Sequence, residues 1–319
     1  MSLEPGETPR PLVLVPEYLP PEHLKMLAQR VEVLYDPDLH GDRDRLLASV
    51  GAASAVLIRN RTVIDPAFLA AAPGLQVVGR LGVGLDNVDV VAVEASDVEL
   101  VVAHGGNTVS VAEFVIGAML VCRRGVFGMT GSMLAGQWPR QGHAFGNELK
   151  DKTLGLIGFG AIAREVAKRA AGFEMRIVAF DPYLPADDAV WGLAEPVTLD
   201  GLITSSDVIS IHVPLNDETR GLIDAKALSA MKHDATVINT SRGGIVDERA
   251  LATALRSGVI GSAALDVFAV EPLGPEAAAI FEGLDNLLLT PHLAGNATEA
   301  VDRIASSIVE AVLQRLAPG

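Results

Sequence analysis

The stretch Thr153–Ala170, TLGLIGFGAIAREVAKRA, reads as a strand, a glycine turn and a helix in immediate succession. Gly158 and Gly160 fit the pattern G-x-G-x-x-A, with Ala163 in the third slot, where a small residue lets the helix approach the strand. The helix would open at Ala161 and Ile162, whose backbone N–H groups point toward whatever sits on the turn and suit a pyrophosphate. After the next strand-like run, MRIVAF, comes Asp181, where a carboxylate can accept both hydroxyls of an adenosine ribose and would repel a 2′-phosphate. The spacing predicts a dinucleotide site, with NAD favoured over NADP.

Strand-like and helical segments alternate outward from this point. TLGLIG, MRIVAF, DVISIHV, ATVINT, GSAALDV and NLLLTP are near-continuous apolar runs, separated by helical stretches such as AIAREVAKRAAGF and DERALATALRSG. Apolar strands alternating with helices imply a parallel sheet covered on both faces. Upstream, PLVLV, AVLI, LQVVGR and ELVVA alternate with segments such as PEHLKMLAQRV, a second and smaller α/β unit. Val111 to about Leu134 reads as one long, mostly apolar helix that must be buried in a core or against a second subunit, and a two-fold dimer is expected. Near the end, Val301, Ile304, Ile308 and Val312 share one helical face, which predicts a helix returning to pack on the first unit.

Composition narrows the function classes. The 319 residues are 49% hydrophobic, enough for two domain cores. With 25 basic and 40 acidic residues the formal net charge is −15, which argues against nucleic acid or an anionic membrane as partner. Cys122 is the single cysteine, so neither a disulfide framework nor a cysteine-based metal site is expected. MSLEPGETPR has no apolar signal core, and the apolar runs fall short of the roughly 20 residues of a membrane span. A cytoplasmic protein is expected, with no metal.

In open α/β sheets, ligands bind outside the carboxyl ends of the strands. The residues just past each predicted strand are therefore informative: Gly158, then Asp181, then His212-Val213-Pro214, then Thr240-Ser241-Arg242, then Asp266 to Glu271, then His292. Alone, His292 between leucines and a Pro/Gly turn would read as a packed core histidine. Beside a dinucleotide site it reads differently. Hydride transfer at a carbinol carbon needs a cation to hold and polarise the oxo acid, and an acid to protonate the developing alkoxide. Arg242 suits the first role, being planar and permanently charged. His292 suits the second, with Glu271 fixing its tautomer and favouring the protonated ring.

GFGAIA, INTSRGGIVDE, ALDVFAVEP and TPHLAG, in that order, resemble the D-isomer-specific 2-hydroxyacid dehydrogenase family, which includes phosphoglycerate dehydrogenase. The resemblance runs over nearly the whole chain. It implies a doubly wound Rossmann NAD domain, residues 105–292, inserted into a flavodoxin-like substrate domain, residues 1–104 and 293–319. It implies Arg242, Glu271 and His292 as the catalytic set and Asp266 near the nicotinamide carboxamide. Val213, Pro214, Thr240 and Thr108, the last ending HGGNT, are expected among the cofactor contacts. GRLGVGLDNVD resembles the family's substrate loop, so backbone N–H groups around Leu81, Gly82, Val83 and Gly84 would hold the substrate carboxylate.

Departures from the family pattern refine this. Glu271 stands where the family's formate dehydrogenases carry Gln, which speaks against formate. Val213 replaces a Thr found in many relatives. The regulatory domain that follows in many phosphoglycerate dehydrogenases has no counterpart in this sequence, so control by serine is not expected. Arg59 to Thr62 (RNRT), Arg80 and Gly136 to His143 (GQWPRQGH) supply arginines that would suit a dianionic substrate, and these stretches also resemble the family's bacterial sulfolactate dehydrogenases. The alternative is an NAD-sensing corepressor on the same fold.

Overall fold

The computed structural model describes residues 10–126, 129–138, 140 and 146–317. Two units result, one running to Asn107 and resuming at Ala297, the other Thr108–Asn296.

In the first unit the strands are β1 (Leu12–Val15), β2 (Glu32–Tyr35), β3 (Ala55–Ile58), β4 (Val77–Arg80) and β5 (Glu99–Val102), all parallel in the order β2-β1-β3-β4-β5. This is the flavodoxin-like winding, with its switch point between β1 and β3. Alternate residues face opposite layers: Val13, Val15, Leu57 and Val77 meet the helix Thr298–Arg315, whereas Leu14, Val56, Ile58 and Val78 lie in the other core. Ile304, Ile308 and Val312 of that helix are buried there as their spacing predicts. Gly79 makes the contact possible, since a Cβ would lie 2.5 Å from Leu57 Cδ2 and 2.8 Å from Ile308 Cγ2. β2 has no clear apolar alternation and went unseen in the sequence; it is an edge strand with exposed Glu32, Leu34 and Tyr35.

In the second unit the strands are β6 (Thr153–Ile157), β7 (Arg176–Phe180), β8 (Glu195–Pro196), β9 (Val208–Ile211), β10 (Thr236–Asn239), β11 (Ser262–Leu265) and β12 (Leu287–Leu289). Their order, β12-β11-β10-β9-β6-β7-β8, is the doubly wound nucleotide-binding arrangement with one strand added, and the winding reverses between β6 and β9. Ile157, Ile209, Ile211, Val237 and Leu265 fill one face, and Leu154, Leu156, Val208, Ile238 and Ala264 the other.

Two expectations need correction. The seams lie at Asn107/Thr108 and Asn296/Ala297, not at 104/105 and 292/293. Arg303 donates to Gly106 O at 2.7 Å and ties that turn to the first unit, while Asp266 holds the segment beyond His292 in the second. The single helix expected over Val111–Leu134 is two: Thr108–Arg124 ends at Gly125, whose φ of +60° suits a glycine, and Met129–Leu134 follows with no buried residue.

Candidate active site

The glycine turn after β6 is sterically committed. Gly158 has φ +83°, and a Cβ there would lie 2.8 Å from both His212 O and Val213 Cγ1. Gly160 caps the helix Ala161–Ala171 without a side chain, and nothing lies within 4 Å of where its Cβ would be. The first N–H groups of that helix therefore border open space. Ala163 is fully buried, as the third slot requires. Asp181 accepts from Phe159 N at 2.9 Å and Tyr183 N at 3.0 Å, one bond per oxygen, which leaves a lone pair on each for a ribose hydroxyl. Phe159 stacks on Trp191 with centroids 5.3 Å apart and braces the turn.

His212, next to this turn, shares its Nε2 with the buried Ser210 Oγ at 2.9 Å, and burial pushes its pKa down to about 4. It stays neutral at ordinary pH. Val213 is half-buried against the core and Pro214 is exposed. The buried Thr240 Oγ1 has no hydrogen-bond partner among the described residues, as expected of a hydroxyl that bonds a ligand. Thr108 is the half-buried first residue of its helix. An open helix N-terminus, a glycine cradle, a carboxylate with spare lone pairs and an orphaned hydroxyl together fit a bound dinucleotide.

Arg242 follows β10 in a tightly built loop. Asn239 is 1% exposed, receives Ser241 N and donates to Arg242 O, while Ser241 Oγ donates to Ile211 O. The half-buried guanidinium donates from Nη1 to Ser241 O at 2.6 Å. At Gly243 a Cβ would lie 1.9 Å from Phe268 C and O, so the loops after β10 and β11 meet backbone to backbone and only glycine fits.

Glu271 and His292 come together across 21 residues. Glu271 Oε2 lies 2.8 Å from His292 Nδ1, and Oε1 accepts from Phe268 N at 3.0 Å. With Nδ1 engaged, Nε2 is the nitrogen available for proton transfer. The pair is accessible, the side chains being 41% and 34% exposed. His292 is left-handed, with φ +56°, and its N–H bonds Asp266 O and Thr290 O. The Asp266 carboxylate is 1% exposed and accepts from Thr290 Oγ1, Leu293 N and Ala294 N at 2.6–2.8 Å. Its main work is to hold the histidine loop, with about one acceptor position left for a carboxamide. Sequence reasoning missed this anchoring role, as it missed Gly243 and Asn239, although each sits at or just past the end of an apolar strand.

The first unit carries its own polar edge. Leu81 N donates to Ile58 O at 2.7 Å and Gly82 N to Arg80 O at 2.8 Å, so of the four expected carboxylate-binding N–H groups those of Leu81 and Gly82 are engaged within the fold. Val83 and Gly84 remain as candidates. Arg80 is 7% exposed, and a Cβ on Gly82 would strike its guanidinium. Glu17, 4% exposed, accepts from the backbone N–H groups of Arg59, Arg61 and Thr62 at 2.8–3.2 Å, while Asn87 donates to Arg59 O and Thr62 O. The Arg61 guanidinium meets His40 Nε2 at 3.1 Å. Arginine has only donors, so His40 Nε2 accepts there while Nδ1 faces Pro37 O at 2.9 Å. Positions 139 and 141–143 of the Gly136–His143 stretch lie outside the described residues.

Glu22, His23 and Asp302 gather three possible metal ligands in the first unit. Nε2 of the buried imidazole lies 3.0 Å from Ser306 Oγ and 3.4 Å from Asp302 Oδ1 on the helix Thr298–Arg315, whereas Nδ1 has no hydrogen-bond partner among the described residues and Glu22, on the same helix as His23, stands 3.7 Å from it. That is the geometry of an interhelical tie. Cys122 is buried, and burial pushes its thiol pKa up to about 12.

A doubly wound sheet with this turn at its switch point defines a dinucleotide-binding domain. The model of the D-isomer specific 2-hydroxyacid dehydrogenase NAD binding domain matches residues 116–294. The chain is 47% identical over 305 residues to the (S)-sulfolactate dehydrogenase of Chromohalobacter salexigens, covering 95% of this chain and 98% of that enzyme. It is 42% identical over 309 residues to the D-3-phosphoglycerate dehydrogenase of Mycobacterium bovis, covering 96% of this chain and 57% of that longer enzyme. The TT0316 protein of Thermus thermophilus superposes with a TM-score of 0.86 at 32% identity, covering 95% of this chain and 97% of that one. The chain belongs to the D-isomer-specific 2-hydroxyacid dehydrogenase family: it is an NAD-dependent enzyme that interconverts 2-hydroxy and 2-oxo acids. The corepressor alternative finds no support among these relatives.

The depressed His212 pKa has a measurable consequence. The unfolded chain takes up this proton near pH 6.5 and the folded one only near 4, so stability falls as pH drops through that window. His212→Gln is expected to flatten the decline of melting temperature between pH 6.5 and 4; an unchanged slope would remove the burial of a neutral His212 as its cause.

Proposed function

We propose that His292 is the proton donor in reduction and the base in oxidation, that Glu271 holds its tautomer, and that Arg242 anchors and polarises the oxo acid. The observation that carries this reading is the 2.8 Å Glu271–His292 contact through Nδ1, which leaves Nε2 for the substrate. In reduction, bound nicotinamide supplies the hydride to the carbonyl carbon. His292 Nε2 gives its proton to the oxygen as the C–O π electrons move there, and the ring is left neutral. Gly158, Gly160, Ala161, Ile162, Thr240 and Asp181 hold the dinucleotide, with Asp181 favouring NAD over NADP. Val213, Pro214, Thr108 and Asp266 are further cofactor contacts on the strength of the family resemblance. His292→Ala or His292→Gln is expected to cut kcat by about 10²–10⁴ with NADH affinity nearly intact. Glu271→Gln keeps a hydrogen-bond acceptor but removes the charge beside the imidazole, and is expected to lower kcat with NADH affinity nearly intact. Near-normal turnover in His292→Ala would return the residue to a packing role.

The substrate is a small 2-hydroxy acid with a second anionic group, of the sulfolactate or 3-phosphoglycerate kind. Arg59 and Arg61 sit on a loop braced by Glu17 and Asn87, and Val83 and Gly84 offer N–H groups for the carboxylate. NADH oxidation with sulfopyruvate and hydroxypyruvate phosphate is expected to exceed that with pyruvate or glyoxylate by at least about tenfold in kcat/KM, one charge-assisted contact being worth roughly 1.5–3 kcal/mol. A preference for pyruvate or glyoxylate would sink the dianionic assignment, and tight NADH binding without any turnover would sink the catalytic one.

The assembly is a homodimer, in the cytoplasm, without nucleic-acid or membrane partners. Val109, Leu120, Met133, Leu134 (85% exposed) and Trp138 (73%) put apolar surface outside along 109–138. No helix among the described residues is long and apolar enough to cross a membrane. Sedimentation at micromolar concentration is expected to give twice the 33.4 kDa chain mass; a stable monomer would refute the dimer.

A further inference from the structure

The loop bearing Glu271 has little burial to order it. Ala269, Val270, Glu271 and Pro272 are exposed, Val270 by 64%, and Phe268 is the last buried residue before them. Three contacts hold its backbone. Phe268 meets Gly243 at a distance no side chain would allow, Phe268 N donates to Glu271 Oε1, and Ala269 N donates to Glu248 Oε1 at 2.6 Å. Two carboxylates thus take consecutive N–H groups of one exposed turn, and one of them carries the imidazole. Glu248 opens the helix Glu248–Arg256 directly after its N-cap Asp247.

We propose that Glu248 is a positioning residue for the acid–base pair: by taking the Ala269 N–H it sets the turn from which Glu271 reaches His292. This rests on the function proposed above. The half-buried carboxylate is held there against opposition: burial raises its pKa, and Asp247 and Glu271 repel its charge, while the Ala269 bond works the other way. A residue serving only as an acidic first-turn partner of the helix dipole would gain nothing from that location. The two roles demand different things of a substitution. Helix-dipole support needs negative charge near the first turn; positioning needs an acceptor oxygen at this reach.

Glu248→Asp keeps the charge and shortens the reach by one methylene, whereas Glu248→Gln keeps the reach and removes the charge. With the intact enzyme, Glu248→Asp is expected to lower kcat by about tenfold to 100-fold with the Kd for NADH unchanged, the scale of a 1 Å misplacement. Glu248→Gln is expected to stay within about threefold of the parent, and in a Glu271→Ala background Glu248→Asp is expected to cost almost nothing further. Full activity in Glu248→Asp, a Gln variant as impaired as the Asp variant, or an undiminished Asp effect in the Glu271→Ala background would each overturn the inference. His292→Ala separates the failures: if it keeps turnover the acid–base reading falls, and if it abolishes turnover while Glu248→Asp is normal only the role of Glu248 falls.

Discussion

The buried carboxylate of Asp266 is the constraint on which the site depends. It draws in Thr290 Oγ1, Leu293 N and Ala294 N, and its own carbonyl takes His292 N, so the chain folds back around it. A non-glycine residue in the left-handed region costs about 1–3 kcal/mol, whereas a hydrogen bond to a charged group contributes roughly 1.5–3 kcal/mol. Three such bonds outweigh the cost of holding His292 at φ +56°. The accessible imidazole of His292, the proton donor proposed above, is thereby held by a group that solvent barely reaches.

The same reliance on rigid parts governs the neighbouring loops. β10 and β11 lie in register through four residue pairs, so the turns leaving them begin side by side. Gly243 lets those turns touch at backbone distance, which couples the Arg242 segment to Phe268 and, through Glu271, to the imidazole. Functional groups on strand-end loops inherit the precision of the sheet only where such contacts exist. On the function proposed above, the exposure of Glu271 and His292 gives a substrate access to the pair.

A chain of net charge −15 that binds small anions must overcome its own field locally. Charges farther apart than about 8 Å are largely screened at physiological salt, so a few well-placed cations and N–H groups suffice. In the first unit, Glu17 binds the backbone of the loop bearing Arg59 and Arg61, and His40 Nε2 receives the Arg61 guanidinium. A carboxylate in a cationic region acts there as scaffold.

The glycine spacing, the apolar runs and the single face of Val301, Ile304, Ile308 and Val312 were legible in the sequence, because period and steric need are local properties. So were the residue types at each strand end, from which Arg242, Glu271 and His292 were drawn. β2 escaped because an edge strand buries little, and the break at Gly125 because a glycine inside an apolar helix is ambiguous without its φ. Which N–H groups were free was not legible: Leu81 and Gly82 direct theirs to Ile58 and Arg80, a matter of folded backbone geometry. Nor was the use of Asp266 and Glu248, since a carboxylate in a sequence does not declare which donors will reach it. By itself the sequence determined the two doubly wound units and the chemical types at their edges; only the tertiary structure decided which polar groups stay accessible and which serve as struts, because hydrogen-bond partners 21 to 45 residues apart meet only once the sheet has formed.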